Sequence, residues 1–121
     1  ELILLGYNTP DHIPEHPELD RLVNFQHQLC MQAGAYQNGC WVVAVGKAGM
    51  EEGVSQIGLT SIIAPSGEIV AQSKTTGDEL IIHDCNLDDT RVYKEAMLNF
   101  EKNRSPEHYQ AITAQRGAKT P

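Results

Sequence analysis

The sequence predicts an α/β fold, because short apolar runs of strand length alternate with one long stretch of helical periodicity. Residues 2–5 and 40–45 are continuous apolar runs, which are typical of strands covered on both faces. Between them, residues 17–37 repeat apolar side chains at the spacing of an amphipathic helix. The predicted order is strand, helix, strand, hairpin, strand, helix, helix. That order allows one sheet of about five strands with a long helix, but a first strand covered on both faces needs neighbouring strands and a second layer.

The long helix has a clear beginning and end in the sequence. Pro17 suits a first helical position, and Asn38-Gly39 is a typical stop. The predicted apolar face is interrupted by one polar residue, Gln26, and consists of Leu19, Leu22, Val23, Leu29, Cys30 and Ala33.

The remaining elements follow from turn and capping residues. Residues 47–58 are rich in glycine and predict a loop, whereas residues 60–71 predict a hairpin that turns at Pro65-Ser66-Gly67. Residues 80–85 predict another strand. Asn86 is a predicted cap for a helix that carries Val92, Ala96 and Phe100 on one face. Ser105 is a predicted cap for a last short helix, and we expect residues 115–121 to be a frayed tail of a single domain, 1–121.

Composition excludes several classes of partner. Nine basic and sixteen acidic residues give a net charge of -7, which disfavours nucleic acid because phosphates need a cationic patch. No apolar run is long enough to span a bilayer. Three cysteines without CxxC spacing predict reduced, mostly buried thiols, with a cytoplasmic location as the default.

Two clusters of ionisable residues are weak candidates for chemistry. His12 and His16 are four residues apart, but Pro14 between them disfavours the helix that would turn both toward one metal. An exposed loop is the simpler interpretation. Glu51 and Glu52 are adjacent, so they do not converge on one substrate atom unless the loop is contorted.

None of the thiols is a convincing nucleophile. Cys30 falls on the apolar face of the long helix and Cys40 opens a buried strand, so both predict packing roles. Cys85 would share a strand face with His83 while Asp84 points away, which does not set up a relay. A small cysteine enzyme using Cys85 with His83 is therefore the least favoured reading.

Three segments together resemble a known family. "GYNTPDHIPEHPELD", "FQHQLCMQAGAYQNGCWVVAVGKAGMEEG" and "TSIIAPSGEIVAQS" are similar to the C-terminal part of N-carbamoyl-D-amino-acid hydrolases of the nitrilase (carbon–nitrogen hydrolase) superfamily. The resemblance continues through "NLDDTRVYKEAMLNFEKNRSPEHYQAI". The middle segment is the specific one, whereas the hairpin is typical of the whole superfamily.

The resemblance implies a fold and a reaction. The fold is the C-terminal portion of a four-layer α-β-β-α sandwich, so the strand at residues 2–5 is expected to be internal to a longer architecture. The Glu base, Lys and Cys nucleophile of the family are expected upstream, which would leave this chain alone inactive. The implied reaction cleaves an N-carbamoyl-D-amino acid to D-amino acid, carbon dioxide and ammonia, with no metal or organic cofactor.

On this chain the resemblance implies a substrate-binding role for Asn8 and Thr9, and self-association into a homo-oligomer. Without the resemblance, the two residues merely close a turn before Pro10. Two alternatives remain open. The chain could be a free-standing oligomerising or ligand-binding module, or the parent could be another amidase of the superfamily, such as a β-ureidopropionase.

Overall fold

A computed structural model describes residues 1–114 and Gly117, so the predicted tail lies almost wholly outside the described residues. The chain is mixed α/β, which confirms the predicted class. The strands are β1 (Leu2–Tyr7), β2 (Trp41–Gly46), β3 (Ala48–Glu51), β4 (Val54–Ile57), β5 (Ser61–Ile63) and β6 (Ile69–Gln72). The α-helices are α1 (Val23–Asn38), α2 (Phe100–Asn103) and α3 (Gln110–Thr113). Short 3₁₀ segments cover Pro17–Leu22, Leu87–Thr90 and Pro106–His108, and a π-helical turn covers Tyr93–Met97.

The main sheet has four strands in the order β1-β2-β5-β6. β1 and β2 run parallel, from Leu2 opposite Trp41 to Tyr7 opposite Gly46, so both end at the same edge of the sheet. The other pairs are antiparallel, and the β5–β6 hairpin turns where the sequence predicts, with an irregularity at Ile62 and Ile63. β3 and β4 form a separate two-stranded hairpin.

The first strand is confirmed, but it is not covered on both faces. β1 is at the end of the described sheet, and the side chain of Leu4 is 70% exposed. Leu2 and Ile3 are also exposed. The core lies instead around β2 and β5, where Ala35, Cys40, Val42, Ala44 and Ile63 form a buried cluster.

The long helix lies where the sequence predicts it, but it consists of a 3₁₀ segment followed by an α-helix. Its first turns are 3₁₀ and begin at Pro17, and α1 ends at Gly39, whose φ of 53° suits a glycine. The predicted apolar face is wrong in part. Val23 is buried against the rest of the chain, whereas Leu29 and Cys30 are exposed, because the buried side of the helix is rotated toward Ala35.

Two further predictions are wrong. Residues 47–58 are not a loop, because β3 and β4 pair there. Residues 80–85 are not a strand: they bond to no neighbour as a strand, and Leu80 and Ile82 are 83% and 78% exposed. An apolar run forms a strand only where a neighbouring strand pairs with it, and β6 does not pair with residues 80–85.

The late helices are shorter than predicted. Asn86 caps the segment after it, as predicted, because its side chain accepts a hydrogen bond from the Asp88 amide. The helix breaks at Leu98, however, and α2 starts afresh with an Asn99 cap, so Phe100 does not share a face with Val92. Ser105 precedes the last segment without a side-chain capping bond.

Among the described residues, no helix combines the length and the apolar character needed to cross a bilayer.

Candidate functional site

The loop that follows β1 carries the two residues with a predicted binding role. Asn8 is exposed and Thr9 is half-buried, directly after Tyr7. The Lys47 amide donates to the Tyr7 carbonyl oxygen at 2.9 Å, so the ends of β1 and β2 stay joined where the loop begins. The carboxyl ends of parallel strands are where α/β proteins bind ligands. The backbone therefore puts Asn8 and Thr9 at a suitable edge.

One side of this loop is fixed to the β3–β4 hairpin. The Ile57 amide donates to the Thr9 carbonyl oxygen at 2.9 Å, and the Asp11 amide donates to the Ser55 carbonyl oxygen at 3.1 Å. These bonds flank an isolated β-bridge in which Pro10 lies opposite Gln56 of β4. The position of Thr9 is thus set by backbone pairing.

The other side of the loop is tied to the 3₁₀ segment before α1. His12 Nδ1 lies 2.6 Å from Asp20 Oδ2, and the Ile13 amide donates to Asp20 Oδ1 at 2.8 Å. The hydrogen bond from His12, and then that from Ile13, lower the pKa of the Asp20 carboxyl. Asp20 therefore stays ionised and can accept both bonds at neutral pH.

A mainly apolar cleft of about 400 Å³ separates the loop from α1. Thr9, Pro10 and Ile13 form its loop wall. Its helix wall consists of Val23, Gln26, His27 and Cys30. The exposed thiol of Cys30, which the sequence assigned to the core, therefore faces a cleft beside the predicted binding loop.

Tyr7 and His27 lie at the inner side of this region. Their rings are 4.2 Å apart between centroids, and the Tyr7 hydroxyl donates to the Gly58 carbonyl oxygen at 2.5 Å. Burial raises the pKa of Tyr7 to about 12 and lowers the pKa of His27. Both groups are thus held neutral at neutral pH, so they shape the site without adding charge.

A second, more polar cavity of about 460 Å³ opens at the end of β2. Lys47, Thr60, Asp78 and Glu79 are among its lining residues. Two of the charged groups there have partners, because Lys47 pairs with Glu51 and the Glu79 carboxylate accepts the Lys74 and Thr75 amides. This cavity shares none of its lining residues with the loop of Asn8 and Thr9.

The weak ionisable candidates do not form sites. His12 turns to Asp20, whereas His16 lies 3.2 Å from Glu18, so the two imidazoles have different partners. In the described part of the chain, no three metal-binding side chains come together. Glu51 pairs with Lys47 and Glu52 occupies the turn of the β3–β4 hairpin.

The cysteines are free in the described structure and differ in exposure. Cys40 is buried, as predicted. Cys85 is half-buried and its thiol lies 3.8 Å from the His83 carbonyl oxygen, while the His83 ring packs at 5.7 Å from Trp41. Burial, together with the charge of Asp84, raises the pKa of the Cys85 thiol. A thiolate is disfavoured there, which argues against a Cys85–His83 pair.

Sequence reasoning missed Asp20 and Tyr7 as parts of this region. Asp20 lies seven positions after Ile13 in a proline-rich stretch, and Tyr7 meets Gly58, which lies 51 positions after it. The contact between Ile13 and Asp20 is close in sequence, and an acid just before the helix is a signal that could have indicated it. The second contact has no local signal.

The family model for carbon–nitrogen hydrolases matches residues 3–95. The match includes the loop after β1, the cleft, α1 and all six strands. This chain belongs to the carbon–nitrogen hydrolase family.

Individual relatives agree with this assignment. A Schizosaccharomyces pombe protein described as "Probable nitrilase" is 26% identical over 84 residues, which are 69% of this chain and 31% of that protein. The crystal structure of a carbon–nitrogen hydrolase from Helicobacter pylori G27 aligns with a TM-score of 0.74 at 14% identity, over 93% of this chain and 40% of that one. The C. elegans NitFhit protein aligns with a TM-score of 0.58 at 20% identity, over 86% of this chain and 23% of that one.

The two structural likenesses show the fold. This chain spans less than half the length of each of these relatives.

Proposed function

We propose that this chain is the substrate-binding part of a hydrolase that cleaves N-carbamoyl-D-amino acids. Family membership supports the cleavage of C–N bonds by the parent protein. The finer assignment rests on the resemblance of residues 25–53 to the D-carbamoylase pattern. The observation that carries it is the loop of Asn8 and Thr9, which lies at a parallel strand end and is held by hydrogen bonds on both sides.

The loop offers groups that suit a ureide. The Asn8 amide is exposed and can both donate to and accept from a carbamoyl group, and the Thr9 hydroxyl adds a further donor and acceptor. A carbamoyl amino acid presents a urea-like head and a carboxylate. Both need donors in fixed positions, which a loop anchored at Thr9, Asp11 and Ile13 can provide.

The proposed reaction proceeds by covalent catalysis. A cysteine thiolate attacks the carbamoyl carbon, ammonia leaves with a proton from the general acid–base, and water then releases carbamate, which decomposes to carbon dioxide and the D-amino acid. We propose that the Cys, Glu and Lys for these steps come from polypeptide outside this sequence. The raised pKa of Cys85 and the burial of Cys40 argue against these two thiols as the nucleophile.

A homo-oligomer in the cytoplasm belongs to the same proposal. Exposed apolar side chains on two surfaces, Leu4 and Val45 on the sheet and Phe25 and Leu29 on α1, favour burial against further protein. Free thiols favour a reducing compartment.

The test uses the complete open reading frame that encodes this segment. Ammonia release is measured with N-carbamoyl-D-alanine, its L isomer, β-ureidopropionate and a simple aliphatic amide. Preference for the D-carbamoyl compound supports the proposal. Preference for β-ureidopropionate or the amide supports the alternative parent activities, and no hydrolysis of any of them supports a non-catalytic binding module.

The role of Asn8 is tested in the same protein. Asn8→Ala is expected to raise KM or lower kcat/KM about tenfold, because a hydrogen bond to the substrate is lost. The matched control is Asn103→Ala, which removes an exposed asparagine from the end of α2. Equal kinetics in wild type and Asn8→Ala would remove Asn8 from the site.

A further inference from the structure

We propose that Asp20 is a positioning residue, which fixes the loop of Asn8 and Thr9 relative to α1 and so sets the width of the cleft between them. The statement that Asp20 fixes the loop rests on the described contacts alone. Its effect on substrate rests on the proposed function.

The two oxygens of Asp20 have separate tasks. Oδ1 accepts the Ile13 amide at 2.8 Å and so holds the loop backbone. Oδ2 lies 2.6 Å from His12 Nδ1 and so holds a side chain of the same loop. A single carboxylate thus fixes two successive residues, which restricts both the position and the rotation of the loop.

Asp20 is also well placed along the chain for this task. It lies in the 3₁₀ segment Pro17–Leu22, which leads directly into α1 at Val23. In the described part of the chain, the two hydrogen bonds that Asp20 accepts join the loop directly to the segment 17–38. Within the connecting chain, the His16 amide donates to the Ile13 carbonyl oxygen and the Leu19 amide donates to the His16 carbonyl oxygen. The bonds of Thr9 and Asp11 go instead to β4.

The cleft has one wall on each of the joined parts. Thr9 and Ile13 are on the loop wall and His27 and Cys30 are on the helix wall. The β4 bonds fix the loop to the β3–β4 hairpin, whereas α1 packs on β2 and β5 of the main sheet. Because the Asp20 bonds cross from the loop to the helical segment, their loss lets this distance vary and lets Thr9 move.

The experiment compares Asp20→Ala with Glu18→Ala in the full-length protein. Glu18 is an exposed acid of the same 3₁₀ segment, and its side chain contacts His16 rather than the loop backbone. In Asp20→Ala the exchange of the Ile13 amide with deuterium is expected to accelerate about fivefold to tenfold, and that of Asp11 and Ile57 to a smaller extent. Glu18→Ala is expected to exchange like the wild type.

Kinetics separate positioning from a general loss of structure. Asp20→Ala is expected to raise KM several-fold with little change in kcat, because Asp20 holds the binding loop and touches no reacting group. Asp20→Asn keeps an acceptor for the Ile13 amide and loses the charge opposite His12, so we expect it to recover part of the KM. Should Asp20→Ala fail to fold, Asp20→Asn and His12→Gln carry the same comparison.

Unchanged exchange at Ile13 in Asp20→Ala would overturn the proposal, and so would a wild-type KM in a variant whose loop exchanges faster. If Asp20→Ala does not fold, a wild-type KM in both Asp20→Asn and His12→Gln would overturn it. If the wild-type protein hydrolyses none of the carbamoyl or amide substrates, the proposed function fails. The exchange data then still decide whether Asp20 holds the loop.

Discussion

Gly46 is the position where one added methyl group should damage the structure most clearly. It ends β2 beside Tyr7 of β1. A Cβ atom at this position would lie 1.9 Å from the Gly58 carbonyl oxygen and 2.6 Å from the Tyr7 hydroxyl. Carbon and oxygen atoms that are not bonded do not approach this closely, and the Gly58 oxygen belongs to the backbone, so the chain must move by more than ~1 Å.

The cost of Gly46→Ala follows from the bonds that this movement breaks. The Tyr7 hydroxyl donates to Gly58 at 2.5 Å, and the Gly58 amide donates to the Lys47 carbonyl oxygen at 3.0 Å. Each bond contributes about 1 kcal/mol, and forcing a methyl group into a packed site costs about 1–3 kcal/mol more. We expect a loss of about 3–5 kcal/mol in the free energy of unfolding, measured by urea denaturation.

Gly6→Ala is the matched control. Gly6 lies in β1 opposite Val45, one residue before the Tyr7–Gly46 pair, and a Cβ atom there meets nothing within 4 Å. Its free energy of unfolding should stay within about 0.5 kcal/mol of the wild type. A loss below about 1 kcal/mol in Gly46→Ala, or equal losses in the two variants, would refute the steric reasoning.

Three further outcomes are expected. Tyr7→Phe should lower the free energy of unfolding by about 1–2 kcal/mol, because the Gly58 carbonyl loses its donor. A spectrophotometric titration of the wild type should show one tyrosine that ionises near pH 12. An ordinary titration midpoint for every tyrosine would contradict the burial of Tyr7. Cys30 should react with a maleimide in the native protein long before Cys40, as read by mass spectrometry of peptides, and equal rates would contradict the exposed cleft wall. The Glu79 carboxyl should titrate below its ordinary pKa by NMR, chiefly because it accepts the Lys74 amide, so its contribution to stability is present at neutral pH and lost as the pH falls below about 4. Glu79→Gln should lack that acid-range dependence.

The elements that the sequence predicted correctly are those with a local cause. Pro17 and Gly39 bound the helical segment through their own backbone preferences, and Pro65-Ser66-Gly67 forms a turn whatever lies around it. The cap of Asn86 is likewise a contact between near neighbours. Such features need no tertiary partner, so a single sequence is enough to find them.

The wrong predictions concern elements whose state depends on distant chain. β4 is a strand because β3 pairs with one of its edges and residues 9–11 bond to the other. The sequence of residues 47–58 gives no sign of this second partner. Residues 80–85 have the apolar character of a strand but find no strand to pair with. Cys30 has helical spacing in the apolar set, yet its exposure depends on which side of α1 meets the sheet.

The residues of the candidate site also differ in whether a local sequence signal indicates them. A binding role for Asn8 and Thr9 is predicted from a strand end followed by a turn and from the resemblance to D-carbamoylases, and that role stays a prediction. The contacts of Asp20 could not be predicted, because they join two parts of the structure that form separately. One is a loop bonded to β4, and the other is a helix that packs on the main sheet. A polar loop binds selectively only when its groups are held in fixed positions. In our proposal, the contact that the sequence does not reveal is therefore the one that keeps Asn8 and Thr9 in place.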